Sequence, residues 1–139
     1  MRIDYQGFKE LMRKSSFSDL RIDDQLESLE ILVEEEKIKA FYAKNLFGGH
    51  EFYEVEIYIF EEDRVTKMSF DQQRAVRTVV KNFRDIAETE LIFNANGQGW
   101  MKVIFNDGKN YTFDSDKDLG NKKVECRDNI LSIYNLLKA

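Results

Sequence analysis

Residues 99–113 read GWMKVIFNDGKNYTF, and this stretch decides the fold class. Two apolar runs, Gly99 to Phe105 and Asn110 to Phe113, flank the pair Asp107-Gly108. An Asp-Gly pair between apolar runs is the strongest short-range signal for a β-hairpin, because these residues tolerate the positive φ angles of a tight turn. The stretch therefore predicts two antiparallel strands joined by the turn 106–109.

More strands are predicted before this hairpin, since apolar and polar residues alternate in several short segments. The segments are 37–43, 51–60, 64–70 and 90–94. The longest alternation, 51–60, places Tyr53, Val55, Ile57 and Ile59 on one face. The order of strands and turns predicts one antiparallel sheet.

Helices are predicted at both ends of the chain. Asp4 is a suitable N-cap for a helix to Lys14, in which apolar residues recur at helical spacing. A second helix is predicted over 23–34, so that residues 1–36 form a helical N-terminal extension. A final amphipathic helix is predicted over 121–138, with Ile130, Ile133, Tyr134 and Leu137 on its apolar face.

The segment 71–87 fits two structures. Apolar residues such as Val76, Val80 and Phe83 recur at helical spacing, which predicts a helix over 72–87 and a six-stranded sheet. The stretch from Arg77 to Phe83 is also rich in β-branched residues, which favours a strand and a seven-stranded sheet. The period and the composition leave both structures open.

Composition limits the class of protein. The 139 residues suit one domain, 1–139, and a net charge of −5 argues against nucleic-acid binding. Cys126 is the only cysteine and cannot form an internal disulfide, so a reducing, cytoplasmic location is expected. No apolar run approaches the ~20 residues that span a bilayer, so integral membrane association is not expected.

The strand and turn pattern from 37 to 139 resembles the pleckstrin-homology-like fold, including its GRAM-type and small bacterial versions. The residues that carry this resemblance are Asn82 to Leu91, Trp100 to Phe105, Asp107-Gly108, Tyr111 to Phe113 and the closing helix. The chain also resembles small proteins of Bacillus-type bacteria. The resemblance implies an α+β fold in which a seven-stranded antiparallel sheet forms a partly open barrel, plugged at one end by the C-terminal helix.

Lipid-binding members of that fold place basic residues in the loop between their first two strands. Here the corresponding loop is 45–50, and only Lys44 lies near it. This departure argues against phosphoinositide binding.

One acidic loop has the spacing of a calcium site. Asp114, Asp116, Asp118 and Glu125 fall at positions 1, 3, 5 and 12 of a calcium-binding loop, and such hard oxygen ligands suit Ca²⁺. Leu119 occupies the position of the usual glycine, which favours a solvated loop without metal and no cofactor.

Two further features predict binding. If 71–87 is helical, Arg74, Arg77, Lys81 and Arg84 share one face that could meet an anionic partner. Trp100 is the only tryptophan and could anchor a ligand or partner, since exposed Trp is enriched in binding hot spots.

Three functions are compatible with these features. The first is a non-enzymatic module that binds a protein, through a strand edge or the N-terminal helices. The second is a small metal-dependent hydrolase that uses the acidic loop 114–125. The third is a protein that self-associates through the aromatic strand 52–60.

Overall fold

A computed structural model describes residues 3–14, 20–47, 50–73 and 75–139. It is an α+β structure with two antiparallel sheets. The first sheet has the order β1-β2-β3-β4 and contains β1 (Ala40–Lys44), β2 (Glu56–Phe60), β3 (Arg64–Phe70) and β4 (Val76–Asn82). The second has the order β5-β6-β7 and contains β5 (Ile86–Phe93), β6 (Gly99–Phe105) and β7 (Asn110–Asp114).

Helices lie at both ends of the chain, as predicted. They are α1 (Tyr5–Lys14), α2 (Leu20–Leu32) and α3 (Lys123–Lys138). The Asp4 carboxylate accepts a hydrogen bond from the Gly7 amide at 2.8 Å, which confirms Asp4 as the cap of α1. No helix in the described part of the chain is long and apolar enough to cross a membrane.

The segment 71–87 is not helical. Val76–Asn82 forms β4, which pairs along its whole length with β3, and a single 3-10 turn over Phe83–Asp85 leads into β5. The helical alternative with six strands is therefore wrong. Pairing with β3 outweighs the helical period, because β-branched residues such as Val79 and Val80 fit a pleated surface.

Two details of the predicted sheet are corrected. The strands form two sheets instead of one, and their seven-stranded arrangement breaks where the chain turns at Phe83–Asp85. The predicted strand 51–60 begins only at Glu56, because Phe52–Glu54 forms a 3-10 turn. Glu51 and Glu54 cap that turn reciprocally, and these local hydrogen bonds replace strand pairing.

The two faces of the first sheet are covered differently. On the outer face, α1 packs against the sheet, with the ring of Phe8 5.6 Å from Phe41 and 6.2 Å from Phe70. On the inner face, Tyr42 and Tyr58 meet Phe113 of β7 at 4.6 and 4.9 Å between ring centroids. A single core of buried apolar side chains includes residues of all three helices and both sheets.

Helix α3 closes one end of the space between the sheets. Its Cys126 is buried beside Tyr42, and its Arg127 lies over the start of β6. Gly99 is the point of closest approach, since a Cβ atom there would lie 2.8 Å from Arg127 Cγ and 3.4 Å from Arg127 Cα. The glycine is required by space at this position.

Replacing Gly99 by alanine is expected to lower the free energy of unfolding by about 1–3 kcal/mol, because a methyl group would overlap Arg127. Urea unfolding of the variant measures the loss. Gly97→Ala is the matched control, since its nearest contact would be an ordinary 3.6 Å to Asn94. Equal stability of the two variants would contradict the packing described here.

Candidate functional site

A basic cleft opens between the inner face of β3–β4 and the β6–β7 hairpin. Its volume is about 340 Å³. Eight residues line it: Lys67 and Ser69 of β3, Arg77, Val79 and Lys81 of β4, and Lys109, Asn110 and Tyr111 at the hairpin. Four of these side chains are cationic in a protein with a net charge of −5.

Strand geometry brings the basic residues together. Side chains alternate between the two faces of a strand, so Arg77, Val79 and Lys81 point to the same face of β4. The register places Ser69 opposite Arg77 and Lys67 opposite Val79. The β6–β7 hairpin forms the opposite side of the cleft, where Lys109 follows the Asp107-Gly108 turn, in which Gly108 has a φ of 84°.

Two of the four cations are partly neutralised. Lys67 Nζ lies 3.1 Å from Glu56 Oε2, and Lys81 forms an ion pair with Asp107. The hydrogen bond from Lys81 lowers the pKa of the Asp107 carboxyl group. Arg77 and Lys109 have no carboxylate within ion-pair distance among the residues that the structure describes. Their charges are available to an anion.

Tyr111 adds an unused hydrogen-bonding group. Its side chain is buried at the base of the cleft, and its hydroxyl has no hydrogen-bond partner among the described residues. Burial, followed by the nearby Asp107 and Glu56 carboxylates, raises the pKa of this hydroxyl, so it stays protonated and able to donate. A buried hydroxyl without a partner costs free energy, so this group lowers the stability of the folded chain.

The structure brings only part of the predicted basic set together. Arg77 and Lys81 both line the cleft, although on a strand and not on a helix. Arg84 is exposed in the turn Phe83–Asp85 and does not line it. Arg74 lies outside the described residues.

The remaining lining residues were missed from the sequence. The six that were not predicted as a site are Lys67, Ser69, Val79, Lys109, Asn110 and Tyr111. The alternation of residues along β3 could have indicated two of them, since Lys67 and Ser69 alternate with the buried Met68 and Phe70. The contribution of the hairpin depends on the packing of one sheet over the other.

Trp100 does not line the cleft. It is half-buried on the face of β6 opposite the core residue Met101, and it pairs with Ile92 and Asp114. Its role as a binding anchor stays a prediction. The aromatic strand proposed for self-association is interior: β2 lies between β1 and β3, and Phe52, Tyr58 and Phe60 are buried.

The acidic loop is organised by protein groups. Asp118 is buried, and its Oδ2 accepts hydrogen bonds from the Tyr42 hydroxyl at 2.6 Å and the Asp114 amide at 2.7 Å. Asp114 Oδ1 accepts from the Asp116 amide at 2.9 Å, and Asp116 lies 3.9 Å from Lys123.

Nothing in this arrangement supports a calcium site. Among the ranges described, no three or more His, Cys, Asp or Glu side chains are grouped so that they could hold a metal ion. Glu125 is on α3 and joins no such group. The calcium site and the hydrolase that depends on it remain predictions from the sequence.

Asp118, Tyr42 and Cys126 form a buried polar cluster that ties the loop to β1 and α3. The Tyr42 hydroxyl lies 2.6 Å from Asp118 and 2.9 Å from the Cys126 sulfur. Burial raises the pKa of all three groups, that of the Cys126 thiol to about 12. The Cys126 thiol therefore stays protonated near neutral pH, and the thiol is a much weaker nucleophile than the thiolate.

Comparison with known proteins places this chain in a family. The chain belongs to the family described as protein of unknown function, DUF3908, whose model matches residues 4–130. The matched range includes every residue that lines the basic cleft. No curated protein matches the chain.

The pKa of Asp118 predicts a specific pH dependence. The folded-state pKa is above the unfolded value of 3.8, so the contribution to stability is complete below that pH and is lost as pH rises through the folded pKa. Asp118→Asn can still accept both hydrogen bonds and cannot ionise. Chemical denaturation from pH 4 to 8 is expected to show that this loss of stability disappears in the variant.

Asp118→Ala serves as the control, because it removes the acceptor of Tyr42 and Asp114. It is expected to cost about 1–3 kcal/mol at every pH. An identical pH slope in the wild-type protein and Asp118→Asn would contradict the account of this cluster.

Two of the buried tyrosines, Tyr42 and Tyr111, are expected to respond oppositely to loss of the hydroxyl. Tyr42→Phe leaves Asp118 without one donor and should cost about 1–3 kcal/mol. Tyr111→Phe removes an unpartnered hydroxyl and should leave the free energy of unfolding unchanged or higher. Thermal unfolding measures both; a large loss in Tyr111→Phe would mean that its hydroxyl has a partner within the folded protein.

Proposed function

We propose that this chain is a non-enzymatic binding module that takes an acidic segment of a protein partner into the basic cleft. The observation that supports it is the convergence on one cleft of four cations, two of them without a carboxylate partner among the described residues. Charged groups with open hydrogen-bonding capacity are what an anionic ligand requires.

The chemistry of the lining favours binding over catalysis. The residues that line the cleft provide ammonium, guanidinium, amide and hydroxyl groups, but the set contains no His, Cys, Asp or Glu. General acid–base catalysis near neutral pH uses such groups most often. Cations and hydroxyl donors are suited to holding a carboxylate or phosphate.

The position of the cleft favours a protein segment. The cleft runs along β4, the terminal strand of its sheet, and so is open along its length. Val79 provides an apolar contact between Arg77 and Lys81. A chain of several residues can use such a surface, with its carboxylates placed beside the cations.

We also propose that the fold is pleckstrin-homology-like. The order of four strands, three strands and a C-terminal helix supports this assignment. That fold serves many binding functions, so the proposed function depends on the cleft and not on the fold.

Affinity capture from bacterial cytosol tests the proposal. The wild-type chain and the double variant Arg77→Glu/Lys109→Glu are immobilised, and retained proteins are identified by mass spectrometry. The expected result is a set of proteins that the wild type retains and the double variant does not. High salt is expected to reduce their retention, because the attraction is electrostatic.

The control reverses two cations elsewhere. Lys39 and Lys117 are exposed and do not line the cleft, so Lys39→Glu/Lys117→Glu changes the net charge equally. This control is expected to retain the same proteins as the wild type. Equal retention by the cleft variant and the wild type would contradict a role for the cleft.

A further inference from the structure

We infer that the acidic segment binds as an added β-strand on the free edge of β4, and that it alternates acidic and apolar residues. This inference rests on the proposed function and specifies the partner of the same site. It follows from three features of β4: its edge, its two faces and its charge.

The edge of β4 is unpaired. The strand is last in the order β1-β2-β3-β4, and among the described residues it pairs with β3 alone. In an antiparallel pair, every second residue directs its N–H and C=O away from the partner strand. Within the described chain, residues 77–81 make no backbone hydrogen bond outside their pairing with β3. An extended peptide can use these groups.

The two faces of β4 differ in chemistry. On one side Arg77, Val79 and Lys81 line the basic cleft. On the other side Thr78 and Val80 line a second groove of about 200 Å³, together with Leu32 at the end of α2, the two residues after it, Met68 and further residues of the sheet. Glu34, Glu61 and Arg64 also line this groove. Val80 is 53% exposed and Leu32 49%, so the part of the groove beside these two residues presents apolar surface to a ligand.

The two faces of β4 predict which residues the added segment prefers at alternate positions. Side chains of an added strand alternate between the same two faces as those of β4. Every second residue would lie beside Arg77 and Lys81, where a carboxylate is favoured. The residues between them would lie beside Val80 and Leu32, where apolar side chains are favoured. The complementary segment therefore alternates acidic and apolar residues.

The terminal strand β5 of the other sheet is less suited to an acidic segment than β4. Strand β5 also ends its sheet, but it carries Glu88 and Glu90 and a register shift between Ile86 and Glu88. Acidic side chains and bulges disfavour the addition of an acidic strand. Of these two terminal strands, only β4 has charge complementary to the proposed ligand.

Synthetic peptides test the mode of binding. Three capped nonapeptides are titrated into the ¹⁵N-labelled full chain. In the first peptide Glu alternates with Val or Thr, and the second has the same composition with its Glu residues in a block. The third is the alternating peptide N-methylated at every second amide. The alternating peptide is expected to bind at least tenfold more tightly than the other two, and to shift the amide signals of 77–81. N-methylation removes the strand hydrogen bonds and leaves the charges unchanged.

A matched pair of variants tests the groove side. Val80→Asn and Ile92→Asn replace β-branched residues of nearly equal exposure, 53% and 54%, on the terminal strands of the two sheets. Val80→Asn is expected to lower the affinity for the alternating peptide several-fold, and Ile92→Asn is expected to leave that affinity unchanged. On the cleft side, Arg77→Glu is expected to weaken it about tenfold, consistent with reversal of a charge at a binding site.

The outcomes separate this inference from the proposed function. If the alternating and block peptides bind equally and Arg77→Glu binds neither, strand addition is overturned. The proposal of an anion-binding cleft would still hold. If neither peptide binds, and if Arg77→Glu/Lys109→Glu retains the same proteins as the wild type in affinity capture, both strand addition and the proposed function are overturned. A rise in mass with concentration in light scattering of the chain alone, abolished by Arg77→Glu, would assign the edge to a second copy and overturn a separate partner.

Discussion

The contact of Tyr42 and Tyr58 with Phe113 is the interaction on which the rest of the structure depends. These rings join the inner faces of the two sheets at centroid distances of 4.6 and 4.9 Å. Edge-on aromatic contacts combine a large buried area with a defined geometry. They fix where β7 lies over the first sheet, and thereby which part of that sheet stays uncovered.

The cleft is a consequence of that placement. Across the first sheet, the register aligns Tyr42, Tyr58, Lys67 and Val79 in one row. The first two side chains lie under Phe113, and the last two line the cleft. The neighbouring row passes from Lys44 and Glu56 to Ser69 and Arg77. The same face is therefore core at β1–β2 and lines the cleft at β3–β4.

Local charge and net charge lead to different expectations for partners. The net charge of −5 describes the average surface, whereas binding depends on the field of the cleft, where cations predominate. One exposed ion pair contributes only about 0.2–1 kcal/mol. Useful affinity therefore requires several contacts at once, and backbone hydrogen bonds to a strand edge add contacts that salt does not screen.

The sequence by itself determined the α+β class, the terminal helices, the strand β3 and the β6–β7 hairpin. These depend on local signals: the Asp4 cap, the alternation of 64–70 and the Asp107-Gly108 turn. Only the tertiary structure decided that 76–82 is a strand, since its helical period competes with pairing to β3. It also decided that Asp118 faces the core and that Lys109 joins Arg77 at one cleft. Such juxtapositions join residues distant in sequence, and they follow from the packing of one sheet over another, which no local pattern encodes.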